Sequence, residues 1–151
     1  MKEALIEAEK SYKLNEVPVG CVVVHEGVII GRGYNLKETM KDVTYHAELL
    51  AIQEAQENLN HWWLENCDVY VTLEPCSMCA GAMLNARIRN LYVGARDFRM
   101  GATGSAIDLS NIESFNHHFL VTFGIMETEC SEILSKFFKN LRKKNKTFKG
   151  F

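Results

Sequence analysis

The sequence predicts an α/β fold built on one mixed sheet, and three observations predict it. Residues 67–95 read as an apolar strand, a helix of small residues and a second apolar strand, the alternation that parallel strands joined by crossover helices produce. Upstream, the β-branched runs VPVGCVVV and VIIGRGYN flank a short stretch containing Gly27, the pattern of an antiparallel hairpin. No internal repeat, low-complexity linker or break in composition divides the 151 residues, so one domain over residues 1–151 is expected. A chain of this length buries roughly two-thirds of its unfolded surface, enough for a core without covalent staples.

Each element has its own signal. Lys2 to Leu14 places Leu5, Ile6, Ala8 and Tyr12 on roughly one helical face and stops ahead of Pro18, which predicts the first helix. The hairpin follows, with His25, Glu26 and Gly27 assigned to its turn. Thr44 to Leu59 carries Ala47, Leu50, Ala51, Ala55 and Leu59 at helical spacing, with Thr44 as a cap and His46 in the first turn. CDVYVTL is the third strand, Ser77 to Ala86 a helix and NLYVGA the fourth strand. Residues 96–118 hold two loop signals, GATGS and NHH, with a short helix expected around Asp108 to Phe115. FLVTFGI supplies a fifth strand. A closing helix covers roughly residues 129–146, its last turn basic as the helix dipole prefers.

Composition narrows the function classes. With 47% apolar and 24% charged residues, and no apolar run near the roughly 20 residues that span a bilayer, the chain reads as globular with no membrane helix. MKEALIEAEK lacks the continuous apolar segment of a signal peptide, so the cytoplasm is the expected location. Five cysteines, Cys21, Cys67, Cys76, Cys79 and Cys130, form an odd set; metal or catalytic chemistry fits them better than a disulfide framework. Charge is uneven. Residues 136–151 hold seven Lys and Arg and no acid, so a formal total of −2 leaves −9 on the remaining 135. A solvated helix end and a surface for a polyanion both account for such a run.

The chemistry concentrates in two short motifs. In Cys76-Ser-Met-Cys79 the sulfurs stand at i and i+3 at the start of a helix, close enough to hold one ion, and a helix N-terminus favours thiolate over thiol. A thioredoxin-like redox pair has the same spacing and the same place between strand and helix, so C-x-x-C alone leaves both readings open. Thirty positions earlier, Tyr45-His46-Ala47-Glu48 opens the preceding helix. Both helices are expected to begin at the carboxyl edge of neighbouring parallel strands, where open α/β sheets build their sites. His46, Cys76 and Cys79 then form a three-ligand zinc set with a fourth corner unfilled, the form that activates water. Two thiolates and a neutral imidazole cancel the charge of Zn²⁺, so the water is acidified less than by three imidazoles and needs a base; Glu48, two residues past a ligand, is placed to accept its proton and return it to a leaving group. Taken singly, His46 reads as a capping or core residue, Glu48 as an acid favoured by the dipole, and Cys67 as a fourth ligand closing a structural site.

Jointly, His-x-Glu and Pro-Cys-x-x-Cys resemble the zinc-dependent nucleoside and nucleobase deaminases, the cytidine/deoxycytidylate deaminase superfamily. VPVGCVVV, Asn35, HAE, TLEPCSMCAGAMLNARI, VGARDFRMGATGS and FFKNLRKK extend the resemblance along nearly the whole chain to the bacterial tRNA-specific adenosine deaminases. The resemblance implies a three-layer α/β/α cytidine deaminase-like fold, one Zn²⁺ per subunit, and water attack at C6 of the wobble adenosine of a tRNA anticodon loop, giving inosine and ammonia. It implies His46, Cys76 and Cys79 as zinc ligands and Glu48 as proton shuttle. It further implies that Asn35 contacts the purine edge, that Asp97 contacts ribose, that Phe138 and Arg142 meet the loop by stacking and phosphate contact, and that the enzyme is a homodimer. Two other classes share parts of the pattern: a small-molecule deaminase acting on guanine or cytosine compounds, against which the basic C-terminal helix argues, and a noncatalytic zinc-stabilised RNA-binding module. Cys21 reads as core packing, and His61, Trp62, Trp63, His117 and His118 as surface or packing residues.

Overall fold

A computed structural model describes residues 1–149, in which a five-stranded sheet of order β2-β1-β3-β4-β5 carries helices on both faces. The helix α1 (Lys2–Lys13) leads into the hairpin of β1 (Gly20–His25) and β2 (Val28–Tyr34). Then come α2 (Lys37–Met40), α3 (Ala47–Leu59), β3 (Cys67–Leu73), α4 (Ser77–Ala86), β4 (Asn90–Ala95), β5 (Leu120–Thr122) and α5 (Glu127–Phe148). The strand β1 pairs antiparallel with both β2 and β3, whereas β3, β4 and β5 are mutually parallel. No helix among the described residues is long and apolar enough to cross a membrane.

The hairpin turn is tighter than the sequence suggested. His25 is the last residue of β1, paired with Val28, and only Glu26 (φ 49°) and Gly27 (φ 76°) turn the chain. Two successive positive φ values make the two-residue turn whose twist matches its strands. The segment 108–115 forms turns with no helix: Asp108 instead bridges Thr103 and receives hydrogen bonds from Ser110, so its side chain closes a local turn that competes with helix formation. The fifth strand is short, three residues, and α5 begins two residues before the expected start.

Alternation along the strands sorts the sheet into two faces. Cys21, Val23, Val69, Val71, Leu91 and Val93 meet Ala47, Ala51, Ile52, Ala55, Met83 and Ala86 of α3 and α4 in one buried cluster. On the other face, Gly20 lies against α1 and Gly94 against Cys130 of α5. The contact of α3 with β2 is made at backbone distance. A Cβ on Gly33 would stand 2.1 Å from the Ala47 carbonyl oxygen, and one on Gly31 2.1 Å from that of Ala51. Glycine in the strand opposite alanine in the helix is therefore a steric requirement, and it seats α3 low on the sheet. Because β2 and β3 run the same way with β1 between them, α3 and α4 start at one edge of the sheet, although their strands are second neighbours where the sequence suggested immediate ones.

Replacing Gly31 with Ala, far along β2 from the catalytic motifs, is expected to cost about 1–3 kcal/mol through overpacking. The midpoint of chemical denaturation measures it, and an unchanged midpoint would contradict the backbone contact.

Candidate metal centre and active-site cavity

The helices α3 and α4 each present a chemistry-bearing residue at the N-cap. His46 (φ −82°, ψ 149°) and Cys76 (φ −72°, ψ 175°) are both extended, so each side chain leaves the helix axis at the sheet edge. His46 thus precedes the first turn in which the sequence placed it. Thr44, the expected cap, donates its hydroxyl to Asp42 instead. Cys79 follows in the first turn of α4 and is fully buried.

These three side chains converge. The His46 Nδ1 lies 3.7 Å from the Cys76 Sγ and 3.5 Å from the Cys79 Sγ. A tetrahedral zinc ion with bonds of about 2.3 Å to sulfur and about 2.0–2.1 Å to nitrogen sets those atoms about 3.5–3.6 Å apart, so the spacing fits the ion. All candidate ligand atoms of the trio lie within 4.8 Å of one another, and among the described residues no fourth His, Cys, Asp or Glu joins them. Cys67 cannot close the set: it stands at the opposite end of β3, six residues from Leu73, or roughly 20 Å away. The imidazole touching both sulfurs is also what separates a metal site from a dithiol redox pair, which needs no third ligand.

Electrostatics around the trio suit a cation. The hydrogen bond from Cys79, helped by His46, pulls the Cys76 thiol down to about 4, while the same shared proton and burial push Cys79 far up. His46 is raised by its hydrogen bond to Cys76 against the opposing effect of burial. The three groups therefore hold protons between them that a divalent ion replaces, since both sulfurs bind as thiolates and the imidazole as its neutral form. Glu48, in the first turn of α3, is only 4% exposed, and burial pushes its carboxyl up to about 6. The neighbouring His46 and Cys79 act against that rise, and Glu48 stays outside the ligand group.

Above the trio opens a cavity of about 950 Å³ whose wall includes His46, Glu48, Cys76, Asn35, Asp97 and Phe138. Asn35 is 9% exposed; its Nδ2 donates to the Val17 carbonyl and its Oδ1 accepts from the Lys37 amide, which leaves one N–H and one lone pair for a ligand. The Oδ1 of Asp97 accepts from the amides of Arg99 and Met100 and shapes its own loop. Arg142 does not line the cavity; it stands on exposed α5 one turn beyond Phe138, on the same helix face.

Two wall residues escaped the sequence reading. Glu74, 2% exposed, directs both carboxylate oxygens at the loop after β4: Oε1 takes the Asp97 amide and the Ser105 hydroxyl, Oε2 the amides of Thr103 and Ser105. A Cβ on Gly101 would collide with it at 2.1 Å. An acid between an apolar strand and a proline, at the carboxyl edge of a parallel strand, was the available signal. Glu16, 1% exposed, accepts the Thr39 amide at 2.5 Å and ties α2 to the start of the hairpin.

Residues 1–95 match the family model described as the cytidine and deoxycytidylate deaminase zinc-binding region. The chain belongs to the cytidine and deoxycytidylate deaminase family. Within that deaminase family it is 47% identical over 146 residues to the tRNA-specific adenosine deaminase of Bacillus subtilis (strain 168), covering 97% of this chain and 91% of the relative. To the tRNA-specific adenosine deaminase of Haemophilus influenzae it is 43% identical over 151 residues, covering 99% of this chain and 87% of the relative. A solved structure from work on A-to-I editing by tRNA:A34 deaminases at the wobble position of transfer RNA superposes with a TM-score of 0.85 at 43% identity, covering 89% of this chain and 97% of the other.

The purified deaminase is expected to contain one zinc per chain, and His46→Ala or Cys79→Ala only a small fraction of that, measured by elemental analysis. X-ray absorption should show two sulfurs at about 2.3 Å and a nitrogen at about 2.0–2.1 Å. A third sulfur in the shell would contradict the three-residue centre.

Proposed function

We propose that this chain hydrolytically deaminates adenosine to inosine at the wobble position, 34, of a tRNA anticodon loop, releasing ammonia, as a cytoplasmic homodimer. The observation that carries the reading is a metal trio on the floor of a cavity beside a buried carboxylate that is not a ligand. Near-full-length likeness to the two tRNA-specific adenosine deaminases supports the substrate. A cavity of about 950 Å³ is at the upper end of the roughly 300–1,000 Å³ of ordinary ligand sites, room for a nucleotide turned out of its strand together with part of its neighbours.

His46, Cys76 and Cys79 would hold the Zn²⁺, which would supply the Lewis acidity that makes water a nucleophile near neutral pH. The chain's own residues do the rest. Glu48 takes the proton from the attacking water and delivers it to the departing amino group, and its buried setting, which lifts its carboxyl to about 6, suits a group that must both accept and release a proton. Asn35, fixed by two backbone partners, offers its free N–H and lone pair to the purine edge. Asp97 keeps Oδ2 for a ribose hydroxyl, and Phe138 stacks in the cavity mouth while Arg142 meets phosphate one turn further along α5. Phe98 and Met100, 76% and 63% exposed beside Asp97, are apolar surface that a second subunit would cover.

An anticodon stem-loop carrying adenosine at the wobble position should gain inosine, read by mass. Glu48→Ala should keep zinc and RNA binding while turnover falls roughly 100- to 10,000-fold. Unchanged turnover would remove Glu48 from the proton pathway, and turnover of free guanine without any on the RNA would overturn the substrate. Arg142→Ala should raise KM for the stem-loop and flatten the dependence of log affinity on log salt by about one charge. A salt slope equal to wild type would take Arg142 out of the interface.

A further inference from the structure

Among the described residues, only two buried side-chain polar atoms lack a hydrogen-bond partner, Glu16 Oε2 and Thr103 Oγ1, and of these residues only Glu16 lines the active-site cavity. A carboxylate oxygen can only accept, and leaving it buried without a donor is costly, so native proteins supply one. The other buried acids of the wall are Glu74 and Glu48. Glu74 uses both oxygens on the loop 97–105, and Glu48 sits against Cys79. Glu16 is held just as firmly, since its backbone amide donates to the Ser11 carbonyl and its Oε1 takes the Thr39 amide, yet its second oxygen is left over.

We infer that Glu16 Oε2 is a substrate-recognition acceptor, taking a hydrogen bond from an N–H or O–H of the RNA nucleotide seated in the cavity. This rests on the anticodon-loop reading above. Two parts of a nucleotide carry that donor chemistry, an amino or imino group of a base and the 2′-hydroxyl of a ribose. Glu16 shares the wall with Val17, Asn35 and Lys37 and does not belong to the ligand group, which makes it a reader of the substrate and gives it no part in the proton transfer.

Glu16→Gln isolates the leftover oxygen. The Thr39 amide is a donor, so the glutamine carbonyl takes that side and its NH₂ group replaces Oε2, turning an acceptor into a donor while the link to α2 survives. Wild-type turnover on the stem-loop is measured first, and its absence would reject the tRNA reading and not this inference alone. With turnover present, kcat/KM of Glu16→Gln should fall roughly 10- to 100-fold with zinc content unchanged. The donor is then located by two sets of stem-loops, one with a single 2′-deoxy substitution at each loop position, the other with base analogues lacking one amino or imino hydrogen. One modification should slow the wild type and have no further effect on Glu16→Gln, and the set containing it says whether base or ribose supplies the donor. Because each penalty is a ratio within one variant, a lowered Tm of Glu16→Gln does not alter the reading. Wild-type kcat/KM in the variant, or penalties identical in both proteins for every modified loop, would overturn the assignment.

Discussion

The contact on which the rest of the structure depends is backbone against backbone, where α3 lies on β2. Glycine at positions 31 and 33 and alanine at 47, 51 and 55 remove the side chains that would hold helix and strand at an ordinary distance. The helix is seated low, and its N-cap residue arrives at the level of the strand ends instead of above them. That is why His46 reaches within 3.5 Å and 3.7 Å of two sulfurs carried by a different helix. Alanine contributes little buried area, so cohesion has to come from elsewhere. Ile52, Met83, Ile88, Leu91 and the valines of β3 and β4 provide it, at roughly 25 cal/mol per Å² of apolar surface removed from water. Geometry at the site and stability of the core are thus assigned to different residues on the same face of the sheet.

Two helix N-termini aim at the same point, and their positive dipole ends favour the thiolates that a metal requires. This matters because a doubly anionic pair of thiolates, Cys79 buried and Cys76 half-buried, would otherwise be opposed by desolvation. Once two thiolates and a neutral imidazole surround Zn²⁺, the formal charge of the cluster is zero, and a nearby carboxylate is neither attracted nor repelled strongly. Burial, which raises the Glu48 carboxyl in the metal-free chain, is then opposed by little net charge from the cluster. A trisimidazole centre would hold such a group firmly ionised, a good acceptor but a poor donor, so the soft ligand set and the two-way proton role belong together.

Repetitive structure and the ligand set were legible from the sequence because local spacing encodes them. The third and fourth strands and the helix between them have the bounds that the periodicity marks, Cys67–Leu73, Ser77–Ala86 and Asn90–Ala95. His46, Cys76 and Cys79 were legible for the same reason, since each stands at a helix start announced by its flanking residues. Two misreadings, the Thr44 cap and the helix at 108–115, share one cause. Thr44, Asp108 and Asp42 have short polar side chains that satisfy backbone or neighbouring groups within a few residues, and such pairing competes with helix caps and helix turns in ways that composition cannot rank. The helix α2 is only four residues long, too short to show a period. Long-range partners were invisible altogether: nothing in TLEPC says that Glu74 will hold amides at 97, 103 and 105, because those residues meet it only after the parallel crossover is complete.

The distribution of these errors follows the division of labour in the site. The floor of the cavity is made by helix starts and strand ends, and it carries the trio and Glu48. The wall is made by α2 and the loop after β4, irregular segments with no core of their own, each pinned by a buried glutamate from the α/β body: Glu16 holds Thr39 and Glu74 holds Asp97 to Ser105. A carboxylate suits this duty because backbone amides in a loop are donors in need of acceptors, and one acid can take several at once. Segments held this way can change length and side chains without disturbing the ligands below them. Chemistry common to a superfamily can therefore sit on the rigid floor while the choice of nucleotide is made in the wall, which is also the part of the molecule that sequence periodicity describes least well.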